Sequence, residues 1–190
     1  MIYQHSAATL VVVSWGLAVT LRNANALLTT FVASLISITL ASPVNASSSA
    51  PLGFQLLCLQ HPEECRGGGS SSVSLTDSLL GQIEHINSQV NRSIRPQNDR
   101  GGDVWTIGAS AGDCEDYVLS KRRALINAGL PPSSLRIAYV KAQGVDHAIL
   151  IVKTDGSDLV LDNLVSNIIP LQNTRYRLIA VSSADPMIWQ

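Results

Sequence analysis

Three residues of the 190-residue chain could together carry out nucleophilic chemistry: Cys114, His147 and Asp162. Cys114 is predicted to be the first residue of a helix, where backbone N–H groups lower the pKa of a thiol and favour the nucleophilic thiolate. His147 is the candidate base for the thiol proton, and Asp162 is the candidate carboxylate that orients the imidazole. A buried unreactive thiol and a core histidine are the alternatives for the first two residues.

The turn between two predicted strands decides whether His147 and Asp162 can meet. Asp155-Gly156 is typical of a two-residue type I′ turn, and it predicts that Ile151 pairs with Val160. His147 then lies diagonally from Asp162 on the same face, at roughly 7–8 Å between backbones. A three-residue loop would instead place the two side chains on opposite faces.

The predicted helix that carries the cysteine runs from Cys114 to Ala128. Acidic residues at its start and basic residues toward its end suit the helix dipole. The acidic residues are Asp113, as N-cap, Glu115 and Asp116, and the basic residues are Lys121, Arg122 and Arg123. Gly129 and then Pro131 are typical of a helix end.

Further elements must position this helix. An amphipathic helix is predicted from Thr76 or Asp77 to Ile94, followed by a Gly-rich loop over residues 95–112 with Trp105 as its apolar anchor. Strands are predicted at residues 135–142, 147–153, 159–164 and 176–181, as an antiparallel meander. Helices followed by antiparallel strands predict an α+β domain.

The N-terminal part of the chain is predicted to direct export. Residues 1–46 contain two apolar stretches and no acidic residue, and they end in a small-residue pattern that predicts a signal peptide cleaved after Ala46. An uncleaved membrane anchor is the alternative. Residues 47–72 are predicted to be a linker with the Cys58 to Cys65 segment, and residues 73–190 the folded domain.

The cysteine pattern agrees with export. Cys58 and Cys65 flank a short segment and could form a local disulfide, with two free thiols as the alternative. Zinc is disfavoured because Cys114 and His147 belong to no closely spaced ligand pair. A formal net charge of −1 without a basic stripe argues against nucleic-acid binding.

Three segments, GDCEDYVLSKRRALINAGLP, VDHAILIV and LVLDNL, resemble the bacterial transglutaminase-like cysteine proteinases. The resemblance covers roughly residues 75–189. It implies a papain/transglutaminase-like fold, with the nucleophile at a helix N-terminus packed on an antiparallel sheet. It also implies that Cys114 is the nucleophile, His147 the base and Asp162 the orienting residue.

The LapG-related group of this family is known for calcium dependence, and the resemblance implies Asp113 and Glu115 as ligands. Hard Ca²⁺ prefers carboxylate oxygens. The acids around Cys114 would also raise the pKa of its thiol unless a cation offset their charge. Simple capping of the helix by acids is the alternative, and it requires no metal.

The resemblance leaves the substrate open, because the N-terminal half looks closer to a rhizobial-type branch. We expect a periplasmic peptidase acting on an envelope protein, with a surface adhesin and an inner-membrane regulatory protein as candidate partners and no membrane span in the mature chain. Acyl transfer between side chains or cleavage of a peptidoglycan amide would use the same triad. A non-catalytic periplasmic calcium- or peptide-binding module is the alternative from another class.

Overall fold

The computed structural model describes residues 47–190, so the leader predicted for residues 1–46 lies outside the described residues. The helices in this part of the chain are α1 (Leu52–Gln60), α2 (Asp77–Ser93) and α3 (Cys114–Asn127). The strands are β1 (Ser48–Ser49), β2 (Arg95–Pro96), β3 (Ala111–Gly112), β4 (Leu135–Ala142), β5 (Val145–Val152), β6 (Leu159–Leu161), β7 (Ile169–Pro170), β8 (Arg177–Val181) and β9 (Ile188–Trp189). Within residues 47–190, no helix combines the length and apolar character that a bilayer crossing requires.

An antiparallel sheet joins five of these strands in the order β7, β6, β5, β4 and β8. β4 and β5 meet at a two-residue turn of Gln143 and Gly144, whose φ angles of 52° and 89° suit a type I′ turn. The sequence predicts a simple meander, but β8 pairs with β4 at the opposite edge from β7. The chain therefore crosses back after β7 to complete the sheet.

The β5–β6 hairpin has the predicted register, with Ile151 opposite Val160. The predicted two-residue type I′ turn is wrong: the last pair is Val152 and Leu159, so residues 153–158 connect the strands, and neither Asp155 nor Gly156 has the positive φ that a type I′ turn requires. This connection is held by Thr154, whose hydroxyl accepts the Gly156 N–H at 3.1 Å and donates to the Ser157 carbonyl at 2.9 Å. Because side chains alternate along a strand, this local register determines which residues beyond it share a face.

Helices α2 and α3 enclose the larger hydrophobic core against the sheet. The predicted N-cap Thr76 accepts the Leu79 N–H at 3.2 Å, and α2 buries Ile83 and Val90. Gly129, just beyond α3, has a φ of 98°, which a helix-ending glycine adopts without the steric cost of a Cβ. Both helices thus begin and end close to their predicted bounds.

The basic residues of α3 have a different role from the one predicted. Lys121 and Arg122 are buried, and the last turn of α3 contains no basic residue, so these side chains do not offset the helix dipole there. Arg122 donates to the backbone carbonyls of Glu64 and Arg66, and Arg123 Nε lies 2.6 Å from the Glu64 carboxylate. These contacts hold the segment before α2 against α3.

The packed domain includes residues that precede position 73, where the sequence predicts that the domain starts. The sequence predicts a linker over residues 47–72, whereas the structure has α1 there, with Phe54 fully buried 5.2 Å from the Trp105 ring. Cys58 and Cys65 form a disulfide with a Cα–Cα distance of 5.7 Å. The apolar partner of α1 lies about 50 residues along the chain, a long-range contact that composition does not reveal.

Candidate active site

A close approach of the backbone fixes the start of α3, where Cys114 lies. A Cβ atom added at Gly112 would lie 1.9 Å from Asp116 Oδ2, so this position requires glycine. Asp116 Oδ1 in turn accepts the Thr106 N–H at 2.7 Å. The long loop before α3 is therefore tied to the first turn of the helix and holds the cysteine in place. Asp113 occupies the N-cap position, but its side chain makes no capping hydrogen bond.

The Cys114 thiol is half-buried and donates to the Glu115 carboxylate at 3.0 Å. Burial raises the pKa of this thiol well above its ordinary value, and the hydrogen bond and charge of Glu115 and the charge of Asp113 raise it further. The backbone N–H of Ala148 acts in the opposite direction. Because its pKa is raised, the Cys114 thiol keeps its proton in this arrangement. The contact with the Ala148 N–H places the thiol beside β5, the strand that carries His147.

His147 and Asp162 form a buried hydrogen-bonded pair, as the hairpin register predicts. His147 Nε2 lies 2.8 Å from Asp162 Oδ1, and the two side chains are only 6% and 2% exposed. A neutral imidazole that donates from Nε2 has its lone pair on Nδ1. Nδ1 is thus the nitrogen left to take a proton from a nucleophile.

Asp162 is surrounded by donors. Burial acts to raise its pKa, but hydrogen bonds from His147, Tyr176 and the Leu164 N–H outweigh burial and lower the pKa below its ordinary value. The Leu164 N–H lies 2.9 Å from Oδ1, and the Tyr176 hydroxyl donates to Oδ2. Asn91 on α2 donates to the Asp162 backbone carbonyl at 2.8 Å. The carboxylate is therefore ionised and fixed in orientation.

Cys114 and His147 face one open cleft with a volume of about 590 Å³. Its remaining lining comes from residues 96–98, 112–113, 142–143, 145–146 and 163–165, and from Tyr176. Asp162 lies behind the imidazole and outside the lining. A cleft with a thiol, an imidazole and a carboxylate behind the imidazole has the parts of a cysteine hydrolase site.

The sequence model of one protein family, described as bacterial transglutaminase-like cysteine proteinase, matches residues 44–190. This span includes Cys114, His147 and Asp162. The chain belongs to this family. As a member of this family, the chain belongs to the cysteine peptidase class, in agreement with the resemblance seen in the sequence.

Two solved structures of LapG from Legionella pneumophila are similar to this family member. The calcium-bound LapG structure is 25% identical, covers 58% of this chain and 68% of the LapG chain, and has a TM-score of 0.53. A further LapG structure is 25% identical over 58% of this chain and 67% of that chain, with a TM-score of 0.52. No curated protein gives a significant match. The similarity agrees with the predicted α+β, transglutaminase-like fold.

The two predicted calcium ligands of this family member lie together beside the thiol. Burial raises the pKa of Glu115 to about 7, and a hydrogen bond with Asp113 and the charge of that residue contribute to the rise. Two adjacent carboxylates that repel each other are the donor type that a hard cation binds. Within residues 47–190, no cluster of three or more His, Cys, Asp or Glu side chains could hold a metal. Asp113 and Glu115 fit calcium in donor type as a partial ligand set.

Sequence reasoning missed two side chains that hold Asp162. Asn91 lies on the face of α2 next to its apolar stripe, and Tyr176 precedes β8. Neither residue has a spacing relation to Asp162, because each reaches it only through tertiary packing. The crossing of β8 to the far edge of the sheet was also not predicted.

Proposed function

We propose that this family member is an exported cysteine peptidase that hydrolyses a peptide bond in a protein of the cell envelope, using Cys114, His147 and Asp162. The observation that carries the proposal is the buried hydrogen bond between His147 and Asp162 beside the cleft that Cys114 lines. Thiol, base and orienting carboxylate are the parts needed to activate a nucleophile.

The reaction follows from the free nitrogen of the imidazole. His147 Nδ1 takes the Cys114 thiol proton, and the thiolate sulfur attacks the carbonyl carbon of the scissile peptide. The imidazolium then gives its proton to the leaving amine, which leaves an acyl thioester on Cys114. A water molecule that loses a proton to Nδ1 attacks the thioester and releases the carboxylate product and the thiol. Asp162 holds the Nε2–H throughout and stabilises the imidazolium.

The hydrogen bond from Cys114 to Glu115 opposes the first of these steps, because it directs the thiol proton to Glu115. We propose that Asp113 and Glu115 hold calcium. A bound cation offsets their negative charge, which would lower the thiol pKa and free the thiol to turn toward His147. One of the similar LapG structures is calcium-bound, which supports this assignment.

The compartment and substrate are part of the same proposal. The apolar leader and the Cys58–Cys65 disulfide are typical of an exported protein, for which we propose the periplasm. The family's peptidase class implies a protein substrate. We propose an envelope protein such as a surface adhesin, and an inner-membrane protein as regulator, from the resemblance to the LapG-related group.

The experiment is to incubate the purified protein, with calcium, with envelope extract and to label new protein N-termini for mass spectrometry. We expect new N-termini with the wild type, none with Cys114→Ala or His147→Ala, and residual cleavage with Asp162→Asn, because orientation is one contribution among several. His85→Ala, which removes an exposed histidine of α2, is the matched control and should cleave like the wild type.

Two outcomes would contradict this function. Equal cleavage by Cys114→Ala and the wild type would exclude a cysteine peptidase. Cross-linked products that depend on Cys114 and appear without new N-termini would show acyl transfer.

A second experiment identifies the substrate. When Cys114→Ser is incubated with the same extract, we expect it to retain the protein that the wild type cleaves.

A further inference from the structure

Tyr176 lies beside the His147–Asp162 pair. Its ring centroid is 6.2 Å from that of His147, with an angle of 67° between the planes. Its hydroxyl donates to Asp162 Oδ2, the oxygen that His147 does not contact. The ring itself is half-buried and lines the cleft.

The contact completes the hydrogen bonding of a buried carboxylate. Asp162 Oδ1 accepts from His147 and from the Leu164 N–H, whereas the Tyr176 hydroxyl is the donor that the structure gives to Oδ2. A buried carboxylate with one free oxygen could rotate to find a donor, and rotation would move Oδ1 away from the imidazole. Burial and the charge of Asp162 raise the pKa of Tyr176, so the phenol stays protonated and continues to donate.

We propose that Tyr176 is a positioning residue, whose hydroxyl fixes the Asp162 carboxylate so that Oδ1 holds His147 with Nδ1 toward the cleft. The inference rests on the proposed function, because it assigns a role in activating Cys114 through His147. It adds a fourth member to the chain of contacts, and that member enters from the far edge of the sheet, just before β8.

Another charged group also faces Asp162. Lys121 of α3 is buried, and its positive charge interacts with the Asp162 carboxylate. Burial lowers the pKa of Lys121 to about 7, so its charge changes within the pH range of an activity profile. The test therefore compares all variants at a single pH. One of its two readouts is a signal from the His147 imidazole itself.

The experiment uses the wild-type protein and Tyr176→Phe in calcium-containing buffer at pH 6.5. The first readout is the rate at which iodoacetamide alkylates Cys114. This small probe needs no substrate-binding surface, so a role of the Tyr176 ring in substrate contact would not affect it. The second readout is the NMR signal of the His147 Nε2–H in protein labelled with ¹⁵N-histidine, assigned by its loss in His147→Gln.

The matched control is Tyr117→Phe. Tyr117 donates from its hydroxyl to the Ile94 carbonyl at 2.6 Å, so this variant also removes a phenolic hydrogen bond from the fold without touching Asp162. Tyr176→Met is a second hydroxyl-free variant that keeps the measurement available if Tyr176→Phe does not fold. Thermal unfolding shows that each variant is folded.

We expect Tyr176→Phe to slow alkylation by about tenfold, as a lost hydrogen bond to a charged group implies, and to broaden the His147 Nε2–H signal through faster exchange with water. Tyr117→Phe should match the wild type in both readouts. Alkylation and an Nε2–H signal unchanged in Tyr176→Phe would overturn the positioning role. If His147→Gln and Asp162→Asn also leave alkylation unchanged, the triad of the proposed function fails as well, and the two failures are thereby distinguished.

Discussion

The thiol of Cys114 donates to the carboxylate of Glu115 across 3.0 Å, so the proposed nucleophile is hydrogen-bonded to its own neighbour in the chain. A helix N-terminus normally lowers the pKa of a thiol. Here burial and the adjacent carboxylates outweigh that effect and raise the pKa of Cys114. The acids around the thiol thus determine whether the cysteine can react.

The first prediction concerns Glu115. Glu115→Gln removes the negative charge beside the thiol, so we expect the pKa of Cys114 to fall and its alkylation by iodoacetamide at pH 8 to accelerate. A fall of one pKa unit would accelerate alkylation by up to about tenfold. The measurement is made with chelator present, and Glu84→Gln on the exposed face of α2 is the control. An unchanged rate in Glu115→Gln would show that this carboxylate does not control the thiol.

The second prediction concerns calcium. A ligand that binds only the folded state stabilises it, by about 2.7 kcal/mol at a concentration of 100 times Kd. We therefore expect calcium to raise the melting temperature of the wild type and to have no such effect on Asp113→Ala or Glu115→Ala. Asp146→Ala is the control, because Asp146 is an exposed carboxylate of the same cleft that pairs with Lys141. The absence of a calcium-binding heat in titration calorimetry would exclude the site.

The contact between His147 and Asp162 could be predicted because its cause is local. The chain reverses over residues 153–158, around Asp155-Gly156, with the predicted register of β5 and β6 although without the predicted type I′ turn. Strand alternation then brings the His147 and Asp162 side chains to one face. The start of α3 at Cys114 was predictable for a similar reason, since capping and helix-ending residues lie within the helix sequence. In both cases the determining residues are neighbours in the chain.

The role of the first described residues could not be predicted in this way. Phe54 of α1 packs on Trp105, and Arg122 of α3 bonds to Glu64 and Arg66. These partners lie 51 to 58 residues apart along the sequence, and Gly- and Ser-rich stretches flank the Cys58–Cys65 segment. Only the folded chain shows that the Cys58–Cys65 segment belongs to the core.

The third prediction tests whether α1 belongs to the core of the domain. Phe54→Ala should lower the free energy of unfolding of the whole domain by about 3–5 kcal/mol, because it leaves a cavity next to Trp105. Leu59→Ala is the control on the same helix; Leu59 is 81% exposed, so we expect a change within about 0.5 kcal/mol. Urea unfolding followed by tryptophan fluorescence measures both. A Phe54→Ala protein as stable as Leu59→Ala would show that α1 is a dispensable appendage.

The fourth prediction concerns the cysteines. Without reductant, iodoacetamide should label Cys114 alone, because Cys58 and Cys65 are joined. After reduction and unfolding, all three should be labelled, which serves as the control. Because the disulfide closes a short loop, replacing both partners with alanine should cost about 2.5 kcal/mol of stability. Equal labelling of the three thiols in unreduced protein would rule out the disulfide.

The fifth prediction concerns the pH dependence of stability caused by Lys121. Burial lowers the pKa of its ammonium group from 10.5 to about 7, although the charge of Asp162 opposes this. The folded state therefore favours the neutral amine. Its stabilising contribution is present above pH 10.5, the ordinary pKa, and is lost as the pH falls through about 7.

Lys121→Met keeps a long side chain in the core and removes the titrating group. Its free energy of unfolding, relative to that of the wild type, should be higher at pH 6 than at pH 10. One pKa unit corresponds to about 1.4 kcal/mol, so the difference between the two pH values should exceed roughly 1 kcal/mol. Lys153→Met, at a partly exposed lysine paired with Asp158, is the control, and urea unfolding at both pH values is the measurement. A relative stability of Lys121→Met that is identical at pH 6 and pH 10 would mean that Lys121 stays charged in the folded protein, and that α3 places a permanent cation behind Asp162.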